Sequence, residues 1–96
     1  MTPILSEKIQ VGDIIMPPER EMTLWMRRHI MERNLSEAAL HLTVTQIREG
    51  TPDKRGRWLI IKSDQSKEWN NAGNYEGTLP FTFKVRPTTL WPLVSR

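Results

Sequence analysis

The spacing of apolar residues changes at about residue 40, and this change limits the chain to a mixed fold. Over residues 19–33 the apolar side chains recur every three or four positions, which is the period of an amphipathic helix. From residue 40 onward they alternate with polar side chains, which is the period of a strand with one buried face. The sequence therefore predicts an α+β protein in which one helix precedes most of the sheet.

The predicted helix carries its apolar residues at positions 22, 25, 26 and 29 or 30. Pro18 lies where a first-turn proline is tolerated, and Asn34 is a suitable residue to end the helix. A short helical turn with Ser36 as its cap is expected over residues 36–40.

Several short strands are expected around this helix. Pro17 and Pro18 end the first of them, because proline cannot donate to a strand ladder. Ile47 falls out of the alternation that precedes it, which indicates a β-bulge or a strand end. The turn residues of segment 48–57 join the flanking strands into a hairpin. The predicted strands cover residues 14–16, 40–45, 58–63, 81–86 and 90–94.

About five short strands with one amphipathic helix inserted after the first strand suit a small antiparallel sheet. We expect this sheet to curl into a partly open, SH3-like β-barrel. A plain antiparallel sheet with the helix packed on one face is the alternative. The length of 96 residues fits a single domain, 1–96.

The composition bears on the cellular environment. The chain contains no cysteine, so neither a disulfide framework nor a thiolate zinc site is expected. Its first residues lack the basic and apolar regions of a secretory signal, and no apolar stretch approaches the roughly 18 residues that a membrane span needs. The expectation is a cytoplasmic protein without membrane contact.

No catalytic or metal-binding motif stands out. His29 and His41 have no further ligands at a suitable spacing, and Ser36 lacks a nucleophile elbow. Gly50 and Gly56 lack the lysine and the helix of a phosphate-binding loop. We therefore expect a non-enzymatic protein without catalytic residues, metal or cofactor. An enzyme would require a site assembled only in three dimensions, such as a pocket with a histidine beside a carboxylate.

Residues 35–39 and 42–45 resemble the opening of a helix-turn-helix in small excisionase-like DNA-binding domains. Residues 47–50 and 56–60 are similar to the wing of the same family. Only Gln46 and the start of Ile47 separate the two parts, which leaves no room for a recognition helix. The alternating threonines instead favour a strand over residues 40–48.

Positive charge is concentrated in the C-terminal half of the chain. The net charge is +3; residues 41–96 hold nine basic and five acidic residues, against five and six in residues 1–40. Lys54, Arg55 and Arg57 cluster on the predicted hairpin tip. Such clusters can neutralise phosphates. A solvated surface of mixed charge is the alternative, because acidic residues lie nearby at Glu49, Asp53, Asp64 and Glu68.

The polar segment 64–79 is interpreted as a long loop, and loops of that length are often functional. Trp69 and Tyr75 lie in it and could form an exposed pair on which bases stack. The sequence therefore predicts a small binding protein for DNA or RNA. Its predicted contact residues are Arg48, Lys54, Arg55, Arg57, Lys62, Trp69, Tyr75, Lys84 and Arg86.

The alternative function is protein–protein interaction or assembly. The predicted helix would present a wide apolar face, and methionine-rich faces adapt to varied partners. This face comprises Met22, Trp25, Met26, Ile30 and Met31.

Overall fold

The computed structural model describes residues 1–73 and 81–96 and places six antiparallel strands in one curled half-barrel. Two α-helices, α1 (Leu24–Arg33) and α2 (Lys67–Asn71), complete the α+β architecture. The strands are β1 (Thr2–Leu5), β2 (Ile14–Ile15), β3 (Leu42–Glu49), β4 (Leu59–Ser63), β5 (Phe81–Val85) and β6 (Leu90–Ser95).

The strand order across the sheet is β1-β6-β2-β3-β4-β5, which adds one strand to the five expected. The additional strand is β1, in which Pro3 lies opposite Pro92 and Ile4 opposite Trp91. Because β1 lies at the sheet edge, it can carry a proline without breaking an interior ladder. A run of four residues with a proline does not look like a strand in the sequence, which explains why β1 was missed.

A β-bulge divides β3, as the broken alternation in the sequence indicated. Val44 lies opposite Ser63 and Gln46 lies opposite Lys62, so Thr45 is the extra residue. The hydroxyl of Thr45 donates a hydrogen bond of 3.3 Å to the Lys62 carbonyl. The bulge shifts the inward side chains from even to odd positions, which is why Ile47 falls out of phase. The segment is a strand, in agreement with the preference for a strand over a helix-turn-helix.

Helix α1 begins later than the sequence pattern predicts. A separate 3-10 turn occupies Glu19–Glu21, and Thr23 then accepts a hydrogen bond of 3.3 Å from the amide of Met26. This cap fixes the start of the α-helix, since it satisfies one of its free amides. Asn34 ends the helix in the left-handed conformation at φ 52°, as predicted.

Helix α2 lies in the segment that the sequence suggested was a loop. Its cap is Ser66, whose hydroxyl accepts a hydrogen bond of 3.1 Å from the Trp69 amide. The same hydroxyl donates at 2.7 Å to the Ala39 carbonyl, which docks α2 on the 3-10 turn Glu37–Leu40. Five residues are too few to show a helical period, so the sequence did not reveal this helix.

Ser36 does not cap its own turn, contrary to prediction. Its side chain makes no capping hydrogen bond there and instead donates at 2.6 Å to Glu68 in α2. The Ser36 amide also donates to Glu68, at 2.8 Å. Both hydrogen bonds are donated to a charged carboxylate, which is a strong acceptor.

The inner face of the sheet is packed by aromatic rings. Trp69 contacts Phe81 at a centroid distance of 5.1 Å, and Phe83 contacts Trp91 at 5.3 Å. Trp69 and Trp91 are fully buried, as is Met26 of α1 apart from 1% of its surface. The helices and this aromatic layer therefore cover the inner face and leave the outer face of β3, β4 and β5 to solvent.

Within residues 1–73 and 81–96, neither α-helix combines the length and the apolar character that a membrane crossing requires.

Candidate nucleic-acid interface

The register of β3, β4 and β5 decides which side chains reach the outer face. Directly opposed residues of antiparallel strands point to the same side of a sheet. Arg48, Ile60 and Lys84 form one row across the three strands, and their neighbours Leu59 and Ile61 point into the core. The next outward row contains Gln46, Lys62 and Thr82.

Trp58 and Arg86 extend the outer face beyond the last paired row. The Gly50 amide donates a hydrogen bond of 2.8 Å to the Trp58 carbonyl, which continues the hairpin. The guanidinium carbon of Arg86 lies 3.6 Å from the centroid of the Trp58 ring. We call the surface formed by Arg48, Trp58, Lys62, Lys84 and Arg86 the basic face.

Three cations of the basic face have no salt-bridge partner within residues 1–73 and 81–96. Among the described residues, Arg48, Lys62 and Lys84 form no ion pair with a carboxylate. The ammonium of Lys84 instead lies 4.8 Å from the centroid of the Trp58 ring, at the range of a cation–π contact. The basic face therefore presents positive charge that can meet an anionic ligand without first breaking a salt bridge.

Asp53 fastens the hairpin tip to the basic face. Its carboxylate accepts hydrogen bonds from the indole of Trp58 at 2.8 Å and from Arg86 at 3.1 Å. It also accepts the Arg55 amide at 2.8 Å, within the turn that Asp53 and Gly56 close. The hydrogen bond from Trp58, together with those from Arg55 and Arg86, outweighs desolvation and lowers the pKa of Asp53. The carboxylate is therefore held in its charged form.

The hairpin tip places two more cations beside the basic face. Gly56 takes a φ of 119°, a conformation that glycine adopts readily, and this closes the turn tightly. Lys54 and Arg55 are exposed on this turn and form no ion pair within the part of the chain that the structure describes. The tip is thus a second source of positive charge, held close by Asp53.

Arg57, one of the predicted contact residues, forms ion pairs within the protein. Its guanidinium pairs with Glu49 and lies 3.9 Å from a carboxylate oxygen of Glu7. The hydrogen bond that Arg57 donates to Glu49 raises the pKa of Arg57, because it favours the charged form. Since the charge of Arg57 is compensated locally, this residue braces the hairpin rather than adding to the positive potential.

The predicted exposed pair of aromatic residues is not a feature of the described surface. Trp69 is fully buried against Trp25 and Phe81, so the prediction that it lies on the surface is wrong. The reason is helix α2, whose cap turns this side chain into the core. Tyr75 lies outside the described residues.

Trp58 is an aromatic residue on the outer face of the sheet. It is half-buried and shares the outer face with Ile60 and Lys62. The signal was present in the sequence, because Leu59 and Ile61 alternate with this set and take the buried positions. The apolar character of both faces of β4 hid that alternation.

The predicted apolar face of the helix is largely part of the core. Met26 is buried, while Met22, Trp25 and Ile30 are half-buried and pack against the core cluster. Met31 is the exception, with 79% of its surface exposed. The first four residues therefore contribute to the core, and Met31 is the most exposed member of the face.

The described residues include no cluster of three or more His, Asp or Glu side chains arranged to hold a metal ion. His29 is fully buried and contacts the Trp69 ring at a centroid distance of 4.2 Å, so it belongs to the aromatic layer. Asp13 is also buried, where it accepts hydrogen bonds from the Gln10 amide and from Arg96.

No protein-family model, no curated protein and no solved structure matches this chain.

Proposed function

We propose that the protein binds nucleic acid through the basic face and the adjoining hairpin tip. The observation that carries this proposal is the placement of Arg48, Lys62 and Lys84 on one solvent-facing surface without carboxylate partners in the described chain. A polyanion can be attracted by such a surface and releases its condensed counterions as each cation contacts a phosphate.

The hydrogen bonds and ion pairs of the nearby carboxylates support the same proposal. Asp53, the carboxylate that reaches this surface, is engaged with Trp58, Arg55 and Arg86 and has a lowered pKa. Its negative charge is therefore directed at the protein's own donors. Glu49 is likewise engaged with Arg57. These pairs order the hairpin while the remaining cations stay available to a ligand.

The experiment compares two variants with the same loss of charge. In the first, Arg48, Lys62 and Lys84 are replaced by alanine; in the second, the replaced residues are Arg28, Arg33 and Lys67, which are exposed elsewhere. Fluorescence anisotropy with labelled DNA and RNA at about 50 mM salt should show loss of binding for the first variant only. Circular dichroism of both variants checks that they fold.

Two outcomes contradict the proposal. The wild-type protein could leave all oligonucleotides unbound at low salt, which would remove the function itself. Both variants could also lose affinity equally, which would show that net charge matters and the basic face does not.

A second candidate function is protein–protein contact, now on a different part of α1. Leu24 and Met31 are 72% and 79% exposed, and their spacing of seven residues puts them on the same side of the helix. A small apolar stripe of this kind suits a weak self-contact. Sedimentation analysis of the wild type and of the variant with Leu24→Lys and Met31→Lys tests it; a wild type that stays monomeric at all concentrations contradicts it.

The proposal extends to the class of the fold. We infer a partly open, SH3-like barrel from the bulge at Thr45 and from the hydrogen bonds of Ser6 and Glu7 to residues 87–89, which bring distant parts of the sheet together. An experimental structure with a flat, open sheet would contradict this assignment.

A further inference from the structure

The basic face contains a layered pair of residues whose geometry suits a flat ligand. The guanidinium of Arg86 lies over the Trp58 ring, with its carbon 3.6 Å from the ring centroid. At this distance the two planar groups are in van der Waals contact and gain a cation–π attraction. The guanidinium of Arg86 is thus held against the Trp58 ring.

The two terminal nitrogens of the Arg86 guanidinium, Nη1 and Nη2, form the fork of this side chain. Both donate hydrogen bonds within the protein. Nη1 donates at 3.0 Å to the Arg57 carbonyl, and Nη2 donates to both carboxylate oxygens of Asp53 at 3.2 and 3.1 Å. An arginine grips a phosphate or the edge of a guanine with that fork. Because the fork is engaged within the protein, Arg86 is unsuited to either of those contacts.

Part of the Arg86 side chain remains accessible to a ligand. The side chain is 27% exposed although the indole lies beneath it and acceptors surround its fork. Unpaired bases stack on arginine guanidinium planes as well as on aromatic rings. Arg86 is already fixed by Trp58 and Asp53. Stacking of a base on it therefore carries little further entropic cost of ordering the side chain.

We propose that the ligand of the basic face is single-stranded nucleic acid, one base of which stacks on Arg86 to give a three-layer stack of indole, guanidinium and base. This inference rests on the proposed function and names the ligand class of that same site. The neighbouring cations Arg48, Lys62 and Lys84 then contact phosphates on either side of the stacked nucleotide.

The shape of the basic face favours a single strand over a duplex. The major groove of DNA is about 12 Å wide and admits a helix or a two-stranded ribbon, whereas β3, β4 and β5 already span roughly 10 Å between the outer strand axes before side chains are counted. The hairpin tip is the one narrow ribbon here, and Asp53 ties it to Arg86. Bases inside a duplex are also stacked on each other and cannot reach a protein plane.

The experiment measures the affinity of the protein for three fluorescent ligands of about 12 nucleotides, a length within the usual range for single-strand sites. The ligands are a single strand, its duplex, and an abasic strand with the same phosphates. We expect the single strand to bind about tenfold or more tightly than the other two, because base stacking contributes roughly 1–3 kcal/mol per base.

Two variants separate stacking from charge. Arg86→Lys keeps the charge and removes the planar group, so it should weaken binding of the single strand about tenfold and leave the abasic strand unaffected. Arg33→Lys is the matched control: Arg33 is exposed on α1, outside the basic face, so the same exchange there should change neither affinity by more than about twofold. Unchanged abasic binding also shows that Arg86→Lys keeps the fold.

The outcomes for the proposed function and for this inference differ. Equal affinity for single strand, duplex and abasic strand, with no effect of Arg86→Lys, would leave the nucleic-acid function standing and overturn the stacking site. Tighter binding of the duplex would do the same. Failure of all three ligands to bind at low salt would remove the proposed function and the inference together.

Discussion

The carboxylate of Asp53 accepts a hydrogen bond of 2.8 Å from the indole nitrogen of Trp58, five residues further along the chain. This contact turns the hairpin tip back toward the sheet instead of letting it project into solvent. Arg86 on β5's C-terminal side joins the same carboxylate at 3.1 Å. One acidic side chain thereby organises the candidate interface, although it carries the same negative charge as the ligand that we propose.

The first prediction concerns Asp53→Ala, which removes the acceptor shared by Trp58, Arg55 and Arg86. We expect faster amide hydrogen exchange at residues 54–57 and a loss of affinity for single-stranded nucleic acid, even though net positive charge increases. A gain in affinity would mean that charge alone governs binding and that the order of the tip is unimportant.

The pH dependence of this contact follows from the lowered pKa of Asp53. The hydrogen bond from Trp58 favours the charged form in the folded state, so the stabilisation is complete above the ordinary aspartate pKa of about 3.9. It is lost as the pH falls through the lowered value. The NMR signal of the Trp58 indole proton should therefore stay constant from neutral pH to about 4 and shift below it.

The second prediction concerns the ion pair between buried Asp13 and exposed Arg96. Burial alone would raise the pKa of Asp13, but hydrogen bonds from Arg96 and from the Gln10 amide outweigh it and lower the pKa. The folded state therefore gains stability from ionised Asp13 at neutral pH and loses it in acid. Urea unfolding should show Asp13→Asn to be less stable than the wild type at pH near 7.

The ion pair of Asp13 and Arg96 also predicts that the free energies of unfolding of the wild type and of Asp13→Asn converge at low pH. As the pH falls below about 4 toward the lowered pKa of Asp13, the wild type loses the advantage of its charged carboxylate. The difference in free energy of unfolding between wild type and Asp13→Asn should shrink over that range. A difference that stays constant down to acid would show that the carboxylate of Asp13 does not change its protonation on unfolding.

The central part of the sheet could be predicted from the sequence because its signals are periodic and local. Strand β5 alternates cleanly between buried Phe81, Phe83 and Val85 and exposed Thr82 and Lys84, so both its existence and its outer face were evident. Asn34 likewise predicted the end of α1, because asparagine tolerates the left-handed conformation that it adopts there.

The features of the fold and of the candidate site that the sequence did not predict depend on contacts between segments distant in the chain. Helix α2 is held by Ser66 on Ala39 and by Glu68 on Ser36, residues separated by 27 and 32 positions, and no local pattern reports such contacts. Burial of Trp69 follows from that docking. The stack of Arg86 on Trp58 is also long-range, although both residues could have been placed on the outer face by counting alternate positions.

The third prediction contrasts the tryptophans of the two faces. Trp69→Ala removes a fully buried ring and should destabilise the fold by about 3–5 kcal/mol. Trp58→Ala removes a half-buried ring from the outer face and should cost clearly less in stability while weakening nucleic-acid binding. Urea unfolding and anisotropy on the same two variants measure both quantities. Equal destabilisation by the two changes would contradict the assignment of Trp58 to the basic face.

The fourth prediction concerns the end of α1, where Asn34 has a φ of 52° and a ψ of 48°. Its amide donates to carbonyls of the last helical turn, among them that of Met31. Asn34→Gly removes the side chain without steric strain and should preserve or slightly raise stability, whereas Asn34→Ala should cost about 1 kcal/mol in free energy of unfolding because alanine resists the left-handed region. Since Asn34 is exposed, packing does not obscure the comparison. Thermal unfolding of both variants decides the matter: an alanine variant as stable as the glycine variant would show that the helix ends in another conformation in solution.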